Sequence, residues 1–173
     1  GVKVGEREKN CGWWALPTFE VVFENCIIPA SNRLGDSSAI TWLLQRTKTA
    51  LAAIGTGISR ASYEYAKKYA KERQQFGESI ASRQSIAFMI AEMAYEIDAM
   101  RLLAWKAAST IENKLDATKL SYLAKIYAGE MVMKITDYGV QILGGHGYIR
   151  DHPVERYYRN GRSIAVCEGM AII

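Results

Sequence analysis

Three long segments of the chain carry apolar or small residues at alternating steps of three and four positions. They run from Ile40 to the neighbourhood of Gly77, from residue 86 to 111 and from residue 120 to 142. This spacing places the apolar residues along one face of an α-helix. Because the repeat stays near about 3.5 residues, shallow crossing angles of about 20° are favoured. The sequence therefore predicts a mainly α protein, built as an antiparallel four-helix bundle.

Turn-forming residues mark where each helix is expected to end. Gly77 can adopt the left-handed backbone conformation, so the first helix is predicted to end near it. Asn113 and Asp116 supply turn and N-cap chemistry between the second and third helices. The Gly144-Gly145 pair is predicted to end the third helix, and the amphipathic piece from residue 154 to 162 is the candidate for the fourth.

The first 34 residues differ from the rest of the chain. The segment from Phe19 to Asn25 mixes β-branched and aromatic residues with charges, as strands do, before Pro29 and Gly35 interrupt it. A strand pair is not stable in water without further strands or a helix to cover it. Residues 1–34 are therefore predicted to be the remnant of a β domain that begins upstream, and residues 35–173 the helical domain.

Composition argues against several classes of function. The 22 Lys and Arg residues are interleaved with 18 Asp and Glu residues, so the net charge of +4 does not imply nucleic acid. No apolar run approaches the roughly 20 residues of a membrane span. The three cysteines lack paired spacing and are expected to be packed free thiols. With only His146 and His152, neither a metal site nor a catalytic triad can be assembled.

Glu168 is the carboxylate whose surroundings most suggest chemistry. It stands alone in an apolar run, between Ile164-Ala165-Val166-Cys167 and Gly169-Met170-Ala171-Ile172. Burial there would raise its pKa toward neutrality, which suits a general base that removes a proton α to a thioester carbonyl. Gly169 would give the substrate close access. From the residues alone, an acid near a helix start is the simpler interpretation.

Two other segments allow both a structural and a ligand-binding interpretation. Arg73 and Arg83 flank Phe76, and a guanidinium could bind pyrophosphate while the ring lies against a flat cofactor. Charge at a helix end and a hydrophobic cap explain the same residues. The segment from Gly145 to Arg150 begins like a dinucleotide fingerprint, but Arg150 replaces its last glycine and a helix precedes it. Two interpretations of this segment stay open: a helix cap, or a close approach of the backbone to a ligand.

Taken in order, these segments and several others resemble consecutive motifs of the acyl-CoA dehydrogenases. The resemblance spans nearly the whole chain. The motifs are Thr18 to Phe23, Pro29, Leu34-Gly35, Glu72-Arg73-Gln74-Gln75-Phe76-Gly77, Gln84, Gln141 to Tyr148, Pro153-Val154-Glu155-Arg156, Arg159 and Cys167-Glu168-Gly169. That family has an N-terminal helical domain, a middle β domain and a C-terminal four-helix bundle. The resemblance thus implies the end of the β domain followed by the bundle.

The resemblance also implies chemistry. FAD would be the cofactor, Glu168 would take the α-proton of an acyl-CoA, and a hydride from the β-carbon would pass to the flavin, as in fatty-acid β-oxidation. Gly169 would bind the substrate, and so would Lys48, which stands where several family members have an arginine. An electron-transfer flavoprotein would accept the electrons, in the bacterial cytoplasm or the mitochondrial matrix. The 173-residue chain alone would be inactive.

Further family positions concern the cofactor. Arg73, Phe76 and Gln84 match flavin-binding positions, and the first two of these contact the FAD of a neighbouring subunit in the family. Gln141, Gly144 and Gly145 match a segment near the adenosine diphosphate part of the FAD. A shared site implies a homo-oligomer, a dimer or tetramer.

Other positions depart from the family pattern or bear on which residue is the catalytic base. Met170 and Ile172 replace a usual threonine and glutamine, which leaves open a weakened, scaffold-like member. A relative acting on a non-thioester flavin substrate is a further alternative. Ile54 stands where some members carry the base, which supports Glu168.

Overall fold

The computed structural model describes residues 1–169. Within that range, helices dominate and the strands form two short antiparallel pairs. The elements are β1 Val2–Arg7, β2 Phe19–Phe23, α1 Ser37–Glu72, β3 Gln74–Gln75, β4 Glu78–Ser79, α2 Gln84–Glu112, α3 Thr118–Leu143, α4 Gly145–Tyr148 and α5 Val154–Val166. The prediction of a mainly α fold with a short strand segment is confirmed.

The four longest helices form an antiparallel bundle, as predicted. Helices α1 and α3 run in the same direction and share the largest interface, while α2 and α5 run the opposite way and pack against both. The buried apolar core lies along the stripes, and the small residues in it let α1 and α3 approach closely. Its members are Ala52, Ala66, Ala70, Met93, Ile97, Met100, Ala104, Ala107, Ala124, Ala128, Val132, Ile135, Ile142, Leu143, Val154 and Ile164. Within residues 1–169, none of the helices has the length and apolarity needed to cross a membrane.

The first helix ends earlier than predicted. It stops at Glu72, and β3 and β4 then pair as a hairpin whose two loop residues are Phe76 and Gly77. Both have positive φ, 56° and 87°, as a two-residue type I′ turn requires. The prediction that Gly77 caps the helix is therefore wrong. A glycine favours positive φ in a helix cap and in a hairpin alike, so residue type alone does not distinguish them.

The other helix ends follow the turn signals more closely. Gly144, with φ of 59°, ends α3 directly after Leu143, as predicted. Asp116 accepts a hydrogen bond from the backbone N–H of Thr118 at 2.9 Å, at the start of α3. Helix α5 continues to Val166, beyond the predicted end at residue 162. Its last turn thereby approaches Glu168.

Strands β1 and β2 pair antiparallel, with Val2 opposite Phe23. The loop between them docks on α5, where Asn160 accepts a hydrogen bond from the backbone N–H of Trp13 at 2.9 Å. A Cβ at Gly12 would lie 2.3 Å from a carbonyl oxygen of α5, so only glycine fits. Cys11 in this loop is exposed, in contrast to the packed thiol expected there. This contact ties the strand segment to α5, the helix that precedes Glu168.

Helices α1 and α3 approach each other closely at Gly139. A Cβ at this position would lie 2.2 Å from Oγ of Ser62 but 3.5 Å from its Cβ. Ser62 is fully buried, and its hydroxyl has no hydrogen-bond partner within residues 1–169. The missing side chain of Gly139 therefore makes room for one oxygen atom.

Replacing Gly139 by alanine is expected to lower the free energy of unfolding by about 1–3 kcal/mol, because the new methyl group overpacks the core. Adding Ser62→Ala is expected to recover most of this loss, since the clashing oxygen is removed. Unfolding by chemical denaturant of both single variants and the double variant measures the coupling. Gly57→Ala is the control, because Gly57 is exposed on α1 with no atom within 4 Å of its would-be Cβ. A Gly139→Ala variant as stable as the Gly57→Ala variant would contradict the packing argument.

Candidate active site

Glu168 lies directly after α5, in the 3₁₀ turn Cys167–Gly169. Its backbone has φ of 58° and ψ of 31°, the left-handed conformation. For a residue with a Cβ this conformation costs on the order of 1 kcal/mol or more, so surrounding contacts must hold it. The structure thus places Glu168 at the carboxyl end of a helix, whereas the simpler sequence interpretation put it near a helix start.

A buried lysine from α1 holds the carboxylate of Glu168. Lys48 Nζ donates to an Oε of Glu168 at 2.9 Å; the Lys48 side chain is 3% exposed and that of Glu168 is 22% exposed. The ammonium also lies 4.6 Å from the ring centre of Tyr122 on α3. The pair is therefore closed to water on the lysine side and open on the carboxylate side.

The pKa of Glu168 is lowered, which contradicts the expectation of a raised value. Burial alone raises its pKa, but hydrogen bonds from Thr47 and Lys48 and the charges of Lys48 and Lys125 together outweigh burial. The apolar sequence neighbours predicted the effect of burial correctly. They did not reveal that the spatial neighbours are two ammonium groups, so the net direction was wrong.

Lys125 is the residue near this site that sequence reasoning missed. It lies on α3, is 1% exposed, and donates from Nζ to the carbonyl oxygen of Ala165 at 3.2 Å. Burial lowers the pKa of Lys125. A signal was present in the sequence, because Lys125 is surrounded at helical spacing by the small residues Ser121, Ala128 and Gly129. A lone charge on a face of small residues is a candidate for burial.

The six residues matched to cofactor positions are all exposed and lie at the opposite end of the bundle from Glu168. They are Arg73, Phe76, Gln84, Gln141, Gly144 and Gly145. The end of α1 meets α4, which follows α3 directly, since Tyr69 Oη and His146 Nδ1 are 2.7 Å apart. Lys48 and Glu72 are separated by roughly 36 Å along α1, at about 1.5 Å per residue. One chain therefore does not bring these six residues to Glu168.

The surface at that end fits the close approach of a flat, anionic group. Phe76 is 91% exposed, and the guanidinium of Arg83 lies 5.2 Å from its ring centre. Arg73 makes no ion pair within residues 1–169. A Cβ at Gly144 or Gly145 would meet no atom within 4 Å, which leaves their backbone open. A cationic, aromatic and glycine-lined surface suits a cofactor with a phosphate and a flat ring.

Three of the remaining predicted positions follow Glu168 directly in the sequence, and the fourth is on α1. Gly169 belongs to the same 3₁₀ turn. Met170 and Ile172, the two departures from the family pattern, lie outside the described residues. Ile54 lies exposed on α1 and has no ionisable group that could act as a base.

Comparison with known proteins gives consistent results. The family model described as acyl-CoA dehydrogenase, C-terminal domain, matches residues 37–171. The caffeyl-CoA reductase-Etf complex subunit CarC of Acetobacterium woodii is 41% identical over 174 residues, which cover 98% of this chain and 46% of that protein.

Two solved structures share the fold. Butyryl-CoA dehydrogenase from Megasphaera elsdenii is similar with a TM-score of 0.91 and 34% identity, over 98% of this chain and 45% of that chain. A structure described as PigA with FAD and proline has a TM-score of 0.91 and 26% identity, over 98% and 45% of the two chains. The chain thus spans less than half the length of each of these proteins.

Proposed function

Because the chain belongs to the acyl-CoA dehydrogenase family, we propose that it is the C-terminal part of an FAD-dependent enzyme that dehydrogenates acyl-CoA thioesters between the α and β carbons. In this proposal, residues 1–34 end the middle β domain and residues 35–173 form the helical bundle domain. The observation that carries it is the carboxylate of Glu168, which is held from one side by buried Lys48 and open on the other. A positioned, ionised carboxylate with an open face is what proton abstraction requires.

Glu168 acts as the general base in this proposal. Its lowered pKa keeps the carboxylate ionised at neutral pH, so it is ready to accept the α-proton. A thioester bound over the open side would exclude water and add to the desolvation that raises the pKa, which increases basicity when the substrate is present. The ammonium of Lys48 contacts the carboxylate and so holds the base toward the open side. FAD, when bound, supplies the hydride acceptor.

The distance between Glu168 and the exposed end of the bundle supports a shared cofactor site. Arg73, Phe76 and Gln84 lie just beyond the end of α1, which is roughly 36 Å from Lys48. We therefore assign Arg73 and Phe76 to the flavin of a neighbouring subunit and Gln84 to the same cofactor-binding surface. Gln141 and the Gly144-Gly145 pair are assigned to the adenosine diphosphate part of the cofactor. The active protein is then a homo-oligomer, a dimer or tetramer. Gly169 is assigned to the substrate side of Glu168, and Lys48 acts through the carboxylate that it contacts.

An electron-transfer flavoprotein is the proposed electron partner. The relative in Acetobacterium woodii is named as the subunit of a reductase-Etf complex, which supports this choice. Because one carboxylate both removes and returns the α-proton, the same site also serves the reductive direction. The proposed location is the cytoplasm in a bacterium or the mitochondrial matrix in a eukaryote.

The full-length protein is expected to purify with FAD and to lose flavin absorbance when a saturated acyl-CoA is added without oxygen. A panel of straight, branched and aromatic acyl-CoAs identifies the preferred substrate, and the matching free acids are the control. The 173-residue chain alone is expected to show no turnover. An FAD-loaded protein that no acyl-CoA of the panel reduces would argue against the proposal, and a full-length protein that binds no FAD would favour a scaffold role.

A further inference from the structure

Lys125 makes a contact that the proposed chemistry does not use. Its ammonium is buried in the bundle and donates to the carbonyl oxygen of Ala165, three residues before Glu168. Ala165 belongs to the last turn of α5, where carbonyl groups lack partners within the helix. A cation there pairs with a free carbonyl and with the negative end of the helix dipole.

The end of α5 is fixed on both sides by small residues. A Cβ at Gly129 on α3 would lie 3.5 Å from Cα of Ala165, and a Cβ at Gly55 on α1 would lie 3.3 Å from Cγ2 of Ile164. The backbone N–H of Cys167 donates to the carbonyl of Ser163 and closes the turn. Lys125 therefore adds a charge-assisted bond at a place where van der Waals contacts already bring three helices together.

Burying this ammonium has a cost. Lys48 and Lys125 are both buried, and Glu168 is the carboxylate that accepts from one of them, so their charges exceed its charge by one. A buried lysine without a matched carboxylate destabilises the folded state. A methionine would fill the same volume without that penalty. The presence of a lysine at position 125 is therefore better explained by a functional role of its charge than by a contribution to stability.

We propose that Lys125 is a positioning residue for Glu168, an inference that rests on the proposed function: by tying the end of α5 to α3, it holds the left-handed backbone that aims the carboxylate. The charge of Lys125 also acts on the carboxylate through space, in the same direction as Lys48. Lys125 does not touch the substrate in this proposal.

The test compares Lys125→Met, Lys125→Arg and Ser121→Ala in the full-length, FAD-loaded protein. Ser121 is the matched control, because it is buried one turn earlier on α3 and its hydroxyl donates within its own helix, to Thr118. Hydrogen exchange of peptides that cover residues 164–169 reads the end of α5 independently of any reaction. Lys125→Met is expected to speed exchange there about tenfold, the effect of losing a charge-assisted hydrogen bond. Arginine is expected to restore slow exchange, and Ser121→Ala to leave it unchanged.

Kinetics give the second readout. In Lys125→Met, the rate constant of flavin reduction by acyl-CoA is expected to fall about tenfold while KM changes less than about twofold. The reason is that the variant loses the orientation of the Glu168 carboxylate but no contact with the substrate. The acid limb of the pH–rate profile is expected to move to higher pH, since a positive charge near Glu168 is removed. Exchange or reduction at the wild-type rate in Lys125→Met would overturn the proposal, as would equal effects of Ser121→Ala. If Glu168→Gln reduces flavin normally, the proposed function fails instead, and hydrogen exchange alone decides whether Lys125 holds α5.

Discussion

Replacing Glu168 by glutamine in the full-length protein is expected to slow flavin reduction by an acyl-CoA about 10²- to 10⁴-fold, the usual effect of losing a general base. The amide keeps the size of the carboxylate and still accepts a hydrogen bond from Lys48, but it cannot take the α-proton. Anaerobic stopped-flow absorbance with saturating acyl-CoA measures the rate constant directly. Because the substrate is saturating, a change in affinity does not contribute to the result.

The matched control for this variant is Glu155→Gln. Glu155 also lies at one end of α5, pairs with a cation, Arg159, at 2.8 Å, and is 19% exposed, close to the value for Glu168. It is expected to leave the reduction rate within about twofold of wild type. A Glu168→Gln variant that reduces flavin as fast as Glu155→Gln would show that another group takes the proton.

Glu168→Gln also leaves the ammonium of Lys48 buried without a carboxylate, so a loss of stability must be separated from a loss of chemistry. The FAD content and the unfolding temperature of the variant serve this purpose. Removing both members, as Glu168→Gln with Lys48→Met, is expected to restore stability, because replacing a whole buried pair costs little while breaking it is expensive. Activity is expected to stay lost in the double variant.

The helices were predictable because their signal is local. Apolar stripes repeat within each segment, and burial of one stripe against another determines the bundle. Gly144 was assigned correctly as the end of α3, whereas Gly77 was not assigned correctly, although both have positive φ. The difference lies in the pairing of β3 with β4, which depends on residues on both sides of the turn.

The environment of Glu168 was not predictable, because it depends on residues far away in the sequence. Lys48 is 120 residues from Glu168 and Lys125 is 40 residues from Ala165, so only the packed bundle brings them together. The apolar residues beside Glu168 indicated burial, which is one of the three causes of a pKa shift. The other two, hydrogen bonds and nearby charges, come from α1 and α3 and reverse the direction.

Replacing Lys48 by methionine is expected to raise the pKa of Glu168, because burial then acts with less opposition from hydrogen bonds and charge. The carboxylate must be ionised to act as a base, so the acid limb of the pH–rate profile is expected to move to higher pH. At a pH below both limbs, the variant is slower by about tenfold for each pH unit that the limb has moved. The rate of flavin reduction, measured from acid to neutral pH, gives the displacement.

The pH dependence of stability is an independent check on the pKa of Glu168, because an unfolding measurement needs no substrate. A glutamate whose folded pKa is lowered contributes stability that is present above its ordinary pKa of 4.5 and is lost as the pH falls through the lowered folded value. Without Lys48 this contribution is smaller, so the unfolding free energy of Lys48→Met is expected to depend less on pH in the acid range. Denaturant unfolding at several acid pH values measures the slope.

Lys48→Arg distinguishes an effect on the base from direct binding of the substrate. Arginine keeps the positive charge and a donor for the carboxylate, so the acid limb is expected to stay near its wild-type position. If Lys48 instead held the acyl-CoA, Lys48→Met would raise KM and leave both kcat and the acid limb unchanged. That outcome would restore the substrate-binding role that the family resemblance implies, and the buried ion pair would then be a feature of the substrate-free protein alone.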